Sequence, residues 1–245
     1  MIDDVLTAVA KPEQRPLPEV AYENLLSRII RLELPPGSAL VEKALTDELQ
    51  LGRTPIREAL QRLTVEGLVC REHYRGVYVC EVTADSIERV AEFRKMTDPQ
   101  IAQFAAERAT SEESDFLLTR IELMNSAVKS LEFDSYVNSS RDFYTGLAQC
   151  THNLHFEESA KRIFNFDARL LYLAAGCDTG WIDMANARIE NALTVADCVK
   201  RHASEEASAS VRLFLTRYFT RVIDKLDNYL VSGGLGSKPK RQASG

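Results

Sequence analysis

The stretch RTPIREALQRLTVEGL, residues 53–68, has the pattern of a helix with two arginines near its start. Thr54 is suited to the N-cap, Pro55 to the first helical position, and Gly67 to the left-handed residue that ends a helix. The positive end of a helix dipole disfavours cations, so Arg53 and Arg57 there indicate a negatively charged partner. The apolar residues predict one buried face. They are Ile56, Ala59, Leu60 and Leu63.

The segments on either side of this helix complete a small domain over 18–82. EVAYENLLSRIIR, 19–31, has the apolar spacing of a three-turn helix, and VEKALTDELQLG, 41–52, predicts a short helix followed by a turn. VCREHYRGVYVCEV, 69–82, predicts two strands with a tip near 74–76. This order predicts a winged helix-turn-helix.

In such a motif the N-terminus of the second helix enters the major groove of DNA. Arg53, Thr54, Pro55 and Arg57 are therefore the predicted DNA-contacting residues of the helix, and Arg75 and Gly76 those of the wing tip. Arginine binds guanine bidentately or holds phosphate. Two further arginines of this region are equally compatible with a solvated face and with DNA contact. They are Arg62 and Arg71.

The remainder of the chain changes in character after residue 84. Apolar residues recur at helical spacing with few breaks, which predicts an all-helical domain over 85–231. Residues 1–17 are expected to form a flexible arm, and the polar residues 232–245 a disordered tail. The predicted fold class is mainly α. The predicted helices are 85–108, 112–131, 134–151, 156–175, 182–200 and 204–230.

Composition excludes several classes of protein. A net charge of −6 argues against a general nucleic-acid coat protein, so DNA contact must come from a local patch. The sequence has no apolar run long enough to span a membrane and begins without a secretory signal pattern, so a cytoplasmic protein is expected. The scattered cysteines argue against a zinc finger or a disulfide framework. They are Cys70, Cys80, Cys150, Cys177 and Cys198.

The sequence lacks the common catalytic motifs. It has no GxSxG, no HExxH and no glycine-rich phosphate loop, so we predict that it is not an enzyme and needs no cofactor. One winged domain contacts few base pairs, which predicts a homodimer on a short inverted repeat of double-stranded DNA. An alternative is a constitutive DNA-binding regulator whose helical domain only dimerises.

The segment 34–69, with its PPG turn, RTPxREAL core and EGLV ending, resembles the DNA-binding domain of the GntR family of bacterial transcription regulators. The region from Arg94 and Asp98 through AAERAT, 105–110, resembles the helical effector domain of the FadR subfamily. The resemblance implies a dimeric DNA-binding repressor whose helical domain, 85–231, dimerises and binds an effector, a small carboxylate or similar metabolite. From the residues alone, Arg94 is either an effector anchor or the structural partner of Asp98.

The same subfamily often holds a metal through an Asp, a His four residues later, and two further histidines. Here Ser140 and Tyr144 stand at the first two positions, Asn186 at the third and Tyr218 at the fourth. Neutral hydroxyl and amide groups are poor ligands for a transition metal. We therefore expect no metal, and a polar effector pocket formed by these four residues with Arg94.

Overall fold

The structure is a computed structural model that describes residues 15–177 and 181–231, with side chains except at 176–177 and 225–231. The predicted arm and tail thus lie largely or wholly outside the described residues. Within them the chain is mainly helical with one two-stranded sheet, which confirms the predicted fold class. The elements are α1 (Leu17–Ile30), α2 (Glu42–Leu49), α3 (Arg53–Val65), β1 (Val69–Glu72), β2 (Gly76–Val79), α4 (Ala84–Arg108), α5 (Ser111–Lys129), α6 (Phe133–Gln149), α7 (Leu154–Cys177), α8 (Trp181–Lys200) and α9 (Ser204–Val231).

The helix-turn-helix is built around the apolar face of α3. The four predicted residues of that face are all buried, and they share one cluster with Leu25 of α1, Leu45 of α2 and Val79 of β2. Each fully buried aliphatic side chain contributes about 1.5–3 kcal/mol relative to exposure. This cluster therefore holds α3 in place while its opposite face stays in solvent.

The start of α3 differs from the prediction. Arg53 is the first helical residue and Gly52 the N-cap, with no side-chain cap, so the assignment of Thr54 as the cap is wrong. Pro55 occupies the third helical position rather than the first. The first four N–H groups of a helix have no acceptor within it, so proline remains compatible with this position.

The end of α3 follows the prediction. Gly67 has φ +78°, the left-handed conformation that glycine adopts without a steric penalty. The N–H of Leu68 donates to the carbonyl of Leu63 at 3.0 Å, and the N–H of Gly67 to that of Thr64 at 3.0 Å. This pair of hydrogen bonds is the Schellman motif, and it directs the chain into the wing.

The wing is an antiparallel hairpin in which Val69 pairs with Val79 and Glu72 with Gly76. Cys70 and Cys80 form a disulfide across its base. The cysteine spacing argued against a disulfide framework, and it did not reveal this single pair. Ten residues separate the two cysteines along the chain, and only the hairpin brings them together.

The six helices α4–α9 form the second domain. Each begins and ends within two residues of its predicted bounds, which confirms the helix predictions. Thr83 and Thr110 start α4 and α5 with reciprocal capping boxes, to Ser86 and Glu113 respectively. The apolar faces of all six helices enclose a single core, and three arginines of this domain are buried: Arg94, Arg169 and Arg188. Those arginines require polar partners because an unpaired buried charge is costly.

Candidate DNA-binding surface and ligand cavity

The predicted DNA-contacting residues lie at the exposed start of α3. Arg53 and Thr54 are exposed, Pro55 is half-buried, and Arg53 has no ion-pair partner within the described residues. Arg57 is also exposed, and its Nε lies 2.7 Å from a carboxylate oxygen of Glu42. The ion pair holds the Arg57 guanidinium beside the N-terminus of α2, and DNA would have to compete with Glu42 for it. These residues thus present cations and free backbone N–H groups at one helix end.

At the wing, Arg75 forms an ion pair with Glu81 at 3.1 Å and its guanidinium stacks on the ring of Tyr78 at 3.9 Å. The hydrogen bond that Arg75 donates to the Glu81 carboxylate raises the pKa of Arg75, so Arg75 remains cationic. Gly76 has φ +80° and open space around it. Tyr74 is almost completely exposed at the tip. The wing therefore offers a cation and an aromatic ring to solvent.

Of the two arginines left open by the sequence, Arg62 has a structural role. Its guanidinium contacts Glu19 at 2.8 Å and Glu66 at 3.3 Å and lies 3.5 Å from the ring centre of Tyr22. This network joins α1 to α3. Arg71 is exposed on β1. The structure thus separates one arginine engaged in packing from one that remains in solvent.

The second domain contains a cavity of about 40 Å³ between its helices. At 10–15 Å³ for each water-sized probe, this volume has room for about three water molecules. The wall is mostly aliphatic and aromatic, with a few polar side chains at one end. Those polar residues are Arg94, Asp98, Tyr144, Asp167 and Asn191.

A buried ion cluster lies at the polar end of the cavity. Asp167 accepts hydrogen bonds from Nη1 of Arg94 at 3.0 Å, Nη1 of Arg188 at 2.6 Å and the hydroxyl of Tyr218 at 2.9 Å. Nε of Arg94 also donates to Asp98 at 2.7 Å. Two guanidiniums thus face two carboxylates, and the cluster is neutral as a whole. Charge-assisted hydrogen bonds of this kind are stronger than neutral ones.

The opposite charges of the cluster stabilise each other's ionised forms. Burial would raise the pKa of Asp167, but the guanidiniums of Arg188 and Arg94 outweigh it and hold that pKa below its ordinary value. Burial would likewise lower the pKa of Arg94 and Arg188, but the carboxylates of Asp98 and Asp167 keep both values raised. Burial raises the pKa of Tyr144 despite the nearby cation of Arg188, so this phenol is neutral and can donate a hydrogen bond.

The structure brings four of the five predicted pocket residues together. Ser140 accepts from Nη2 of Arg188 at 3.4 Å, and the ring of Tyr144 lies 4.8 Å from that guanidinium. Tyr218 accepts from Nη1 of Arg188 at 2.9 Å. Asn186 is different, because its side chain is exposed on α8, whereas Ser140 and Tyr218 are buried beside Arg188; of the five, Arg94 and Tyr144 line the cavity. The prediction that Asn186 belongs to this group is therefore wrong. Arg188, two residues later, takes that position.

Two residues central to the cluster, Asp167 and Arg188, were missed by the sequence analysis. Helical spacing carries a signal for both. Arg188 follows Met184 and Ala185 at the interval of the buried stripe of α8, and Asp167 follows Phe164 in the same way on α7. A charged residue on an apolar stripe must have a buried partner, and here each is the partner of the other.

Of the two roles that the sequence left open for Arg94, the structure shows that of structural partner of Asp98, and the role of effector anchor stays a prediction. It is bound to Asp98, its i+4 neighbour, and it also lines the cavity. Its third nitrogen, Nη2, donates to no group in the part of the chain that the structure describes. The hydroxyl of Tyr144 is buried and likewise has no partner there. Two hydrogen-bond donors of residues that line the cavity are therefore unused.

The residues around Arg188 do not fit the metal that the subfamily resemblance implies. Its guanidinium lies among Ser140, Tyr144 and Tyr218, the aligned ligand positions, and donates hydrogen bonds to two of them. A guanidinium repels a second cation, and hydroxyl oxygens alone bind a transition metal weakly. Among the described residues, no three side chains of His, Cys, Asp or Glu are grouped as a metal site.

Comparison with known proteins agrees with this two-part organisation. Residues 17–79 match the family described as "Bacterial regulatory proteins, gntR family", and residues 89–217 match the FCD domain. This chain belongs to the GntR family. It is a DNA-binding transcriptional regulator with a winged helix-turn-helix and an FCD effector domain. None of the helices in the described part of this GntR protein is sufficiently long and apolar to cross a membrane.

Two relatives of this GntR protein are regulators of named systems. The Nta operon transcriptional regulator of Aminobacter aminovorans is 26% identical over 196 residues, 77% of this chain and 86% of the relative. The transcriptional repressor NanR of Escherichia coli is 24% identical over 221 residues, 82% of each. Among solved structures, E. coli McbR/YncC aligns with a TM-score of 0.75 at 17% identity, covering 86% of this chain and 99% of that one. That likeness concerns the fold.

Proposed function

We propose that this GntR protein is a repressor that binds a short inverted repeat as a homodimer through α3 and the wing, and that a small carboxylate controls it. The FCD domain would bind that effector directly, without a metal. The observation that carries this proposal is the pair of unused donors on residues that line the cavity, Nη2 of Arg94 and the hydroxyl of Tyr144.

The geometry of these two donors suits a carboxylate. The guanidinium carbon of Arg94 lies 6.0 Å from the centre of the Tyr144 ring, and both side chains line the cavity. An anion that reaches Nη2 of Arg94 and the hydroxyl of Tyr144 would accept a hydrogen bond from each. Asp98 and Asp167 already neutralise the two guanidiniums. The anion would therefore be held mainly by hydrogen bonds and not by a net positive charge. The volume of about 40 Å³ favours a short acid such as acetate or propionate. The aliphatic wall suits its methyl end.

The test of the effector proposal is a thermal-shift titration with acetate, propionate, butyrate and succinate, with acetamide as the uncharged comparison. Tyr144→Phe should leave the melting temperature of the free protein unchanged, because the hydroxyl has no partner to lose. It should weaken carboxylate binding by roughly 10- to 100-fold, since a hydrogen bond to a charged group contributes about 1.5–3 kcal/mol. Tyr74→Phe, at the exposed tip of the wing and outside the cavity, is the matched control.

If none of these acids raises the melting temperature, the proposed effector class is wrong. A helical domain that serves only dimerisation would then be the better description. If Tyr144→Phe binds the best acid as tightly as wild type, the assignment of the cavity is wrong.

The test of the DNA proposal uses an operator selected by the wild-type protein from a random duplex library. Arg53→Ala and Arg57→Ala should each weaken operator binding by about 1–3 kcal/mol and relax base preference, as expected for arginines that contact base edges. Unchanged specific affinity at matched salt would refute the assignment of α3. Sedimentation should show a dimer on the operator, and a monomer at micromolar concentration with and without DNA would refute the proposed assembly.

A further inference from the structure

Helix α7 has two distinct faces. One face lines the effector cavity with residues at helical spacing, and these are Ala160, Ile163, Phe164 and Asp167. The carboxylate of Asp167 also anchors the buried ion cluster at 2.6 Å from Arg188. Anything that changes the contents of the cavity therefore acts on the position of α7.

The other face of α7 contacts the DNA-binding domain. Nε of Arg162 donates to the carbonyl oxygen of Glu66 at 3.2 Å, and Nη2 of Arg169 donates to that of Cys80 at 2.6 Å. Arg162 and Arg169 are seven residues apart, about two helical turns, so they lie on the same side of α7. One arginine thus contacts the end of α3 and the other the end of the wing.

The carbonyl of Glu66 is a firm point of attachment. Glu66 is the C-cap of α3, where carbonyl groups lack helical partners and a cation is favoured. Its carboxylate accepts hydrogen bonds from Tyr22 at 2.9 Å and from Arg62 at 3.3 Å, which ties it to α1 and α3 together. A shift of Arg162 is therefore transmitted to the helix-turn-helix as a unit.

The side chain of Phe164 is common to the walls of the effector cavity and of a cleft at the boundary between the domains. Phe164 lines the cavity, and it also lines a cleft of about 410 Å³ that includes Tyr22 and Ile30 of α1. Phe164 is almost completely buried. An occupant that displaces this ring would move it toward α1.

We infer that α7 couples the occupancy of the cavity to the orientation of α3 and the wing, with Arg162 as the positioning residue on α3. The inference rests on the proposed function for the identity of the occupant, but its contacts are independent of that identity. Coupling is reciprocal, so DNA bound at α3 must in turn affect α7. This permits a test without an effector.

The experiment is hydrogen exchange of the full chain with and without a saturating concentration of its selected operator duplex. In the wild type, operator should slow exchange in the part of α7 spanning 160–169 as well as in α3 and the wing. Direct shielding of α7 by DNA is not expected, because Arg162 contacts the end of α3 opposite to its DNA-facing start. A helix of 13 residues separates these ends by about 20 Å.

Arg162→Ala should lose the operator-dependent protection of α7 while keeping that of α3 and the wing. Arg162 is exposed, so the variant should fold, which circular dichroism checks. Lys161→Ala is the matched control, because this substitution removes the same charge from the neighbouring position. Lys161 forms its ion pair within α7, with Glu157 at 3.9 Å. It should behave as wild type.

Two results would overturn the inference. In one, operator leaves exchange in α7 of the wild type unchanged; in the other, Arg162→Ala retains the protection that the wild type and Lys161→Ala show. The experiment contains no carboxylate. Failure of the carboxylate titration would therefore refute the effector proposal alone, and failure here would refute the coupling through α7 alone.

Discussion

Replacing Asp167 with asparagine tests the buried ion cluster directly. The substitution keeps the shape of the side chain but removes the charge that faces Arg94 at 3.0 Å and Arg188 at 2.6 Å. Both guanidiniums are buried away from bulk solvent, so hydration offsets little of the lost charge interaction. Removing one partner of a buried ion pair costs about 3–5 kcal/mol because the other charge is left uncompensated. Against a total of about 5–15 kcal/mol for a folded domain, this is a large fraction.

The assay is urea unfolding followed by circular dichroism, with Asp197→Asn as the control. Asp197 forms an ion pair with Arg201 on the surface, where both side chains are about half exposed or more. Loss of this ion pair should not change the unfolding midpoint measurably. A loss below about 1 kcal/mol for Asp167→Asn would show that the cluster is hydrated or already uncharged, contrary to the structure.

Acid provides a second check of the same carboxylate. The folded pKa of Asp167 lies below its ordinary value, so its contribution to stability is complete above an unfolded pKa of about 3.9 and is lost as the pH falls through the lower, folded value. The difference in stability between wild type and Asp167→Asn should therefore narrow as the pH falls below about 4. A difference that stays constant down to pH 2 would contradict this origin of the effect.

Three further predictions concern the DNA-binding domain. Gly67→Ala should lower the free energy of unfolding by about 1–2 kcal/mol, because φ +78° strains any residue with a Cβ; an unchanged denaturation midpoint would argue against the Schellman ending of α3. Arg75→Ala should weaken binding to all duplexes alike and reduce the slope of log affinity against log salt by about 1, whereas an altered base preference would indicate a base contact. Cys70→Ser should destabilise the oxidised protein by roughly 2–3 kcal/mol through loss of a short cross-link, and should have no effect after reduction with dithiothreitol; equal stability in both states would exclude the disulfide.

The DNA-binding half was predictable because its signals are local. The buried face of α3 follows from the spacing of Ile56, Ala59, Leu60 and Leu63, and its end follows from Gly67, whose conformation needs no distant partner. The bounds of α4–α9 follow from the same periodicity with caps at Thr83 and Thr110. Helical periodicity and caps depend on residues a few positions apart, so the sequence alone contains them.

The partners of charged and sulfur-containing side chains depended on the tertiary structure. Asn186 and Arg188 are two residues apart on α8, and rotation of that helix against its neighbours decides that Arg188 enters the core while Asn186 faces solvent. Asp167 meets Arg94 across 73 positions of sequence, and Cys70 meets Cys80 only after β1 and β2 pair. Spacing along one helix says which face a residue lies on, but the identity of what packs against that face is a property of the assembled helices.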